Sequence, residues 1–556
     1  MFEKYFLASK ITKNTIIQKE KTSQLVIFKY LTQKQQLTGR RMKNSLLSPI
    51  CNMVQALPDS KLADFTKELL HLWVKYPEIQ ASIVLDLNIY AKQKKLIRLK
   101  DREYELNQID SLPGFDDCKL VPESANSLTL DVGAPRTPEI LIFLFMQLRG
   151  YWGSVSDAQA MDNIVESITM NTILQNLSAK LPGRSTIIEN INAVTNETRE
   201  ILFECQLADV LEMKLDDFKV MLIDSTSVEA NNRWPTDAGV IVRLMERVIR
   251  QFSALEKFGI GAVPDFYLPH WLKKSKQCHF TINNTSGFKG AVEARKNCYN
   301  ELYKEAGKAV NYLVRYFQPR KVHADNLDIA PSQKTLVQTI TASIERDLAD
   351  IVYVIEYSRE RICEGKSRPS AEKIMSLSDD AAAFIKKGDR THVIGYKPQL
   401  ARSAVGFVTA LLVESGNPSD SKQFLPTVEN HIANTGVTPE LVNADDGYSS
   451  QEGFDDVKGL DVDMVSLSGA KGKKILGDDL WVQDAYIDAR RNRSAVESLM
   501  FTLKYVYEFG RMRRRGMEEV RAEMLEKVTA HNIMKAAKMK RARYEEERKV
   551  SLPQTN

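Results

Sequence analysis

The hydrophobic pattern changes character part-way along the chain. Residues 1–45 have no apolar period; they are polar and basic, with a glutamine-rich run at Gln33 to Gln36, and read as a poorly ordered arm with a short helix near Leu25 to Leu31. From Leu57 to Lys95 apolar residues fall at helical spacing: Leu62, Phe65, Leu69, Leu72 and Val74, then Ile83, Leu85, Ile89 and Tyr90. Pro113, Pro122 and Pro135 among Asp and Ser mark residues 111–136 as a loop. Helical spacing resumes over Thr137 to Gln147 and Asp157 to Leu177. Leu181-Pro182-Gly183-Arg184 is then a turn, with Ser185 or Thr186 placed to cap the next helix. With Ile188 to Leu202 this pattern fits either a helix-turn-helix or a plain helical hairpin.

Phe218 to Asp224 is the first buried-type strand, and it ends in a carboxylate. After Pro235 a single stripe of Val240, Ile241, Leu244, Val248, Phe252 and Leu255 predicts a long helix. Further helices are expected from Gly290 to Phe317 and from Ser332 to Cys363, with Pro264, Pro269, Pro319 and Pro331 as stops. Strand-like runs return at Ile374 to Ser378, His392 to Tyr396 and Phe407 to Val413. Asn417-Pro418-Ser419-Asp420 starts a helix to about His431. Leu441 to Ala444 is a strand ending at Asp445, Met464 to Leu467 is the last strand, and from Asp478 the chain is helical nearly to its end.

Strand, helical block, three strands, helix, strand, helix, strand, helix is the order of a mixed α/β fold. It predicts a ribonuclease H-like mixed sheet split by an all-α insertion. The expected segments are a basic arm (1–45), a helical region (46–205) to which the resemblance described below gives DNA binding, the sheet domain (206–237 and 371–510), the insertion (238–370) and a basic C-terminal helical segment (511–556).

Charge sharpens that division. The net charge is +5, but residues 1–45 carry +8, residues 511–556 carry +6 and the centre carries −9. Basic ends on an acidic centre fit contact with a polyanion or solvated tails. Arg511, Arg513, Arg514 and Arg515, with Lys535, Lys538, Lys540, Arg541 and Arg543, read as a long cationic helix or helix pair, suited to phosphates or to solvent alone. At 556 residues the chain is too long for one ordinary core. Its longest apolar run, Ile140 to Met146, falls short of the roughly 18 residues of a membrane helix. Lys4 and Lys10 are followed by no secretory pattern, so a cytoplasmic, nucleoid-associated protein is expected. The six cysteines form no C-x-x-C pair, and Cys278-His279 with His270 fits no zinc spacing and reads as loop.

Asp224 and Asp445 each end a strand, and Glu497 lies on a following helix. Strand ends and helix starts along one edge of an α/β sheet face a common crevice. Three carboxylates converging there can hold two Mg²⁺ (or Mn²⁺) ions roughly 4 Å apart, which is what in-line phosphodiester chemistry needs.

The local text around these acids carries a family resemblance. Arg493, Glu497 and Lys504 have the spacing Arg, three residues, Glu, six residues, Lys, which resembles the C-terminal signature of bacterial insertion-sequence transposases of the acid-triad (DDE) class. Arg490 stands where that signature usually has Tyr. Ala444-Asp445-Asp446-Gly447-Tyr448 resembles the text around the second acid, with Asp445 as the catalytic one. Asp224-Ser225-Thr226, with Asn232, Trp234, Pro235, Thr236 and Asp237, is similar to the first-acid segment; Gly416-Asn417 with Asp420 and Leu425 resembles the turn before the central helix. The resemblance spans about residues 180–540 and implies a DNA transposase. Its metal ligands would be Asp224, Asp445 and Glu497, with Arg493 and Lys504 gripping phosphates. Its partners would be terminal inverted repeats and target DNA, bound by a dimer or larger assembly. The competing reading is a silent, transposase-derived DNA-binding protein. Trp234 is expected to pack between insertion and sheet domain or to stack on a displaced base, and His531 and Asn532 to be structural.

Overall fold

The computed structural model describes residues 53–110 and 137–551, apart from 154, 178–179, 233, 264–266, 286–289 and 387–391. The expected arm and the 111–136 loop lie outside the described residues. By its internal contacts the chain forms two units, Met1–Lys75 with Met161–Pro182, and Tyr76–Ala160 with Gly183–Asn556. The first holds α1 (Lys61–Lys75), which buries Phe65, Leu69, Leu72 and Trp73, and α5 (Ile168–Asn176), capped by the Ser167 hydroxyl. That cap breaks the single helix expected over Asp157 to Leu177 into α4 (Asp157–Glu166) and α5.

The second unit opens with α2 (Pro77–Asp110), α3 (Glu139–Tyr151), α6 (Arg184–Ala193) and α7 (Asn196–Glu212). Gly183, not Ser185 or Thr186, precedes α6, and the helix expected over Ile188 to Leu202 breaks at Val194. Thr195 caps α7, and Asp86 of α2 accepts from both the Thr195 backbone and the Thr198 hydroxyl, pinning the two helices together.

The main sheet is mixed, in the order β6-β5-β1-β7-β8. β1 (Val220–Ser225) lies antiparallel to β5 (Gln399–Ser403), which turns back on β6 (Val408–Leu412); on its other side β1 runs parallel to β7 (Leu441–Ala444), and β7 to β8 (Met464–Leu467). A small second sheet pairs β2 (Val228–Glu229), β4 (Val393–Tyr396) and β3 (Ala383–Ile385). Two expectations are corrected. Ile374 to Ser378 is irregular, and the strand that pairs β1 is β5, whose Gln399, Arg402 and Ser403 hid it. Buried Gln399 and Ser403 are satisfied by specific partners, so their polarity is compatible with a central strand.

Between β2 and β3 stand α8 (Asp237–Glu256), α9 (Leu268–Asn284), α10 (Ala291–Asp325) and α11 (Pro331–Cys363), with their own core of Leu244, Val248, Leu302, Leu313, Ile344 and Ile351. Pro331 sits in the first turn of α11 as expected, but Pro319 lies inside α10, where burial of Phe317 and Ala324 on either side holds the helix together. Cys278 and His279 lie on α9, not in a loop.

One face of the main sheet buries Met221, Ile223, Val442 and Val465 against Phe424 and Val428 of α12 (Asp420–Thr435) and Val457 of α13 (Gln451–Lys458). The opposite face meets α15 (Asp484–Asn492), whose Ala489 carbonyl accepts from Asn443, and α16 (Ala495–Val506), which packs on β1 and β5. α14 (Gly469–Trp481) follows β8.

The last helix, α17 (Met517–Ser551), exposes Lys538, Arg541 and Arg543 as a cationic surface helix would, but only towards its end. From Ala522 to Ala537 it is almost wholly buried against α3, α7 and β6. A Cβ on Gly150 of α3 would stand 2.3 Å from the Glu526 carbonyl oxygen, so the two helices cross at a distance only glycine allows. Asn532 both donates to and accepts from the Val408 backbone, completing the edge of β6 like a further strand, and His531 bonds the Gly406 carbonyl.

Candidate active site

Side chains alternate across a strand, so Asp224 shares the face of Leu222, and Asp445 that of Asn443. Asp445 keeps an extended backbone (φ −83°, ψ 177°), so the alternation continues past the end of β7. The parallel register pairs Leu222 with Asn443. Two residues further on, Asp224 stands level with Asp445, on the side of the sheet that α15 and α16 cover.

Both aspartates are half-buried. Asp224 Oδ1 accepts from the Ser225 backbone at 2.7 Å, and Asp445 Oδ1 from Gly447 at 2.9 Å. A third carboxylate, Asp420 at the start of α12, stands by: a Cβ on Gly447 would be 3.0 Å from an Asp445 oxygen and 3.2 Å from an Asp420 oxygen. Asp420 is compensated, since Lys397 reaches its Oδ1 at 2.9 Å and Gln399 donates to the same atom at 3.1 Å. Beneath them lies Tyr448, fully buried, whose hydroxyl donates to Gln399 Oε1. Burial and then the charges of Asp420, Asp224 and Asp445 push the Tyr448 phenol well above its ordinary range, against a smaller opposing effect of a bond with Ser225. The phenol therefore stays a proton donor. In the sequence Asp420 stood out only as part of a turn; only the fold brings it beside Asp445.

The neighbouring acid Asp446 has a different job. Its Oδ1 accepts from the Lys471 and Gly472 backbone at 2.9 and 3.1 Å, capping the start of α14. Gly469 is needed for this approach: its φ is +84°, and a Cβ there would lie 2.5 Å from Asp446.

Glu497 is in the first turn of α16, and its side chain is 64% exposed. Arg493, four residues earlier, pairs with it at 3.4 Å. Phe501, Lys504 and Tyr505 follow at four, seven and eight residues and share its face of the helix. Phe501 and Tyr505 are exposed and in mutual contact, with ring centroids 4.4 Å apart. Among the described residues no three of His, Cys, Asp or Glu stand close enough to hold a metal ion, so Asp224, Asp445 and Glu497 form no closed ligand group.

Residues 373–533 match the family model of the transposase DDE domain. No curated protein and no solved structure matches the chain. The matched segment contains Asp445, Arg493, Glu497 and Lys504; Asp224 precedes it. The match supports a transposase of the DDE type, a class that works on DNA and generally uses divalent metals. Among the described residues no helix is long and apolar enough to cross a membrane.

The remaining predicted positions fall away from the carboxylates or change role. Trp234 is 58% exposed and meets Phe384 of β3 edge-on, so it does not pack between insertion and sheet domain. Arg511 to Arg515 are not helical, because Gly510 and Gly516 (φ +82°) bound an irregular stretch. That stretch is bonded to the chain just beyond Asp224: Glu229 donates to the Gly510 carbonyl and Met512 to the Glu229 carbonyl, each at 2.9 Å. Arg514 is buried in an ion pair with Glu526, and Lys540 pairs with Asp209 at 2.7 Å.

Proposed function

We propose that the chain is an active DNA transposase that cleaves strands at the ends of a mobile element and joins the freed 3′-hydroxyl to target DNA. The observation that carries the reading is the level placement of Asp224 and Asp445 on adjacent parallel strands, on the sheet face that the Glu497 helix covers. The strand order β6-β5-β1-β7-β8, with three antiparallel strands followed by two parallel to the first, supports a ribonuclease H-like catalytic domain. Residues 238–370 are then its helical insertion, and the helices before β1 are the region that recognises the inverted repeats. The cap that engages Asp446 favours Asp445 as the second acid.

The donor set fits two Mg²⁺ or Mn²⁺ ions: hard carboxylate oxygens, on half-buried Asp224 and Asp445 at the sheet edge. Asp224 and Asp445 would hold them, with Glu497 as the third ligand. Bound there, they supply charge neutralisation to a phosphodiester and to the attacking and leaving oxygens. Arg493, paired with Glu497 at 3.4 Å, keeps it oriented until then, and Lys504 on the same helix face holds a DNA phosphate. Asp420, tied by Lys397 and Gln399, fixes the floor of the crevice and does not bind metal. Half-buried Asp224 and Asp445 favour this over the reading of a silent DNA-binding derivative, since a binding protein has no use for two carboxylates facing a polyanion.

The test is cleavage of DNA bearing the element's end, with Mg²⁺ or Mn²⁺, by wild type and Glu497→Gln. Loss of the third carboxylate removes several kcal/mol of charge stabilisation, about a thousandfold in rate, while binding persists. Normal cutting by the variant would sink the assignment of the triad.

A further inference from the structure

Two adjoining clefts of about 630 and 540 Å³ share Asn231 and Arg511 and so form one groove. Its floor is the stretch from Glu229 to Asn232, immediately beyond β1 and Asp224. One end is lined by Lys504, Arg511 and Arg513, the other by Arg243, Arg247 and Arg250 of α8 together with Arg515. Of these seven cations Arg247 is spent on Asp347, and the other six share the lining with three carboxylates, Glu229, Glu246 and Glu508. The groove thus runs from the helix that carries Glu497 to the first helix of the insertion.

The cations are fixed in place by backbone and buried contacts. Asn231 donates to the Arg513 carbonyl at 2.5 Å, and Arg515 Nε donates to the Asn231 carbonyl at 3.0 Å, locking the arginine stretch along the floor. Arg247 binds both oxygens of the fully buried Asp347 at 2.6 and 2.5 Å and the Leu377 carbonyl, which anchors α8 to the opposite wall. Arg250, Arg511, Arg513 and Arg515 keep exposed side chains. Asn232, also in the lining, has a buried amide nitrogen with no acceptor among the described residues. An excess of fixed guanidinium groups with an unmet donor is complementary to a string of phosphate oxygens.

We propose that this groove is a track for the DNA backbone, in which the insertion helix α8 and the 511–515 stretch grip consecutive phosphates of the duplex leading into the carboxylate crevice. The choice of DNA over another polyanion rests on the transposase reading above. The insertion is thereby part of the DNA-binding surface and contributes affinity that does not depend on base sequence.

The test measures binding of the full chain to a short duplex of arbitrary sequence at several salt concentrations, without metal. Each phosphate contact removed lowers the slope of log affinity against log salt by about 0.9. Arg250→Ala with Arg515→Ala lowers it by about 2, and Arg250→Lys with Arg515→Lys restores it, which a merely structural role would not produce. An unchanged slope in a double alanine variant of wild-type circular dichroism overturns the proposal. So does a wild type that binds no duplex, or one displaced by polyglutamate and not by excess duplex, which would give the groove to an acidic protein. If the slope falls as expected yet the wild type cuts no element end with metal, the groove stands and the transposase reading alone fails.

Discussion

The molecule gathers charge in two places and treats it in opposite ways. Around Glu526, on α17, three guanidinium groups close on one carboxylate: Arg199 at 2.9 Å, Arg149 at 3.1 Å and Arg514 at 2.6 Å. Burial alone would raise the Glu526 carboxyl, but Arg149, Arg514 and Arg199 outweigh it and hold it at about 2. At the edge of the sheet stand Asp224, Asp445 and Asp420, with Lys397 bound to Asp420; burial first, and then these three charges, raise the phenol of the buried Tyr448. A buried charge survives only with partners, so the first cluster is architecture that locks α3, α7 and α17 together. In the reading proposed above, the carboxylates at the sheet edge serve instead to bind divalent cations.

That contrast can be broken experimentally, most severely at the crevice. Asp445→Asn should lose DNA cutting by about a thousandfold with no drop in melting temperature, because relieving like-charge crowding costs the fold nothing. Asp446→Ala should do the reverse: cutting persists, and stability falls by about 1 kcal/mol as α14 loses its cap. Chemical denaturation and a cleavage assay on the two variants decide between them; equal effects on cutting would erase the distinction between neighbours.

At the buried cluster, Glu526→Gln leaves three buried guanidinium groups without their shared anion. We expect a loss of about 3–5 kcal/mol in urea unfolding, against none at Asp445. Stability unchanged in Glu526→Gln would make the cluster dispensable.

The mildest test is pH. His431 bonds Thr409 at 2.7 Å and the Phe218 carbonyl at 3.2 Å, tying α12 to β6 and to the entry of β1. Burial holds His431 and His531 down at about 4, below the ordinary value of 6.5. A histidine depressed on folding stabilises the native state fully above its unfolded value, and that contribution is lost as pH falls from about 6.5 to about 4, on the order of 3 kcal/mol for each. Glu526, also depressed, loses its contribution only between about 4.5 and 2. Stability should therefore decline first through the histidine window. His431→Gln with His531→Gln, which keeps a donor at each site, should flatten the decline above pH 4.5; a decline of the same size in the variant would place its origin elsewhere.

Much of the sheet domain was legible in the sequence, because strands buried on both faces are short apolar runs. Met464–Leu467 and Leu441–Ala444 fall where the pattern put them, and the helices between β2 and β3 announce themselves by stripes such as Val240 to Leu255. β5 did not, since its buried polar residues are satisfied only by partners distant in sequence. Ile374 to Ser378 looked like a strand because apolar content alone does not supply a ladder partner.

By itself, then, the sequence determined the periodicities, the order of elements and the spacing of Arg493, Glu497 and Lys504, all properties of neighbouring residues. Only the tertiary structure decided that Asp420 stands beside Asp445, that Asp446 is a cap, and that Arg511, Arg513 and Arg515 line a groove beside α8. It also put Ala522 to Ala537 of α17 into the core and left Lys538, Arg541 and Arg543 exposed. A charged residue carries no local mark of its partner, and burial, pairing and register are settled only when segments far apart in the chain are packed together.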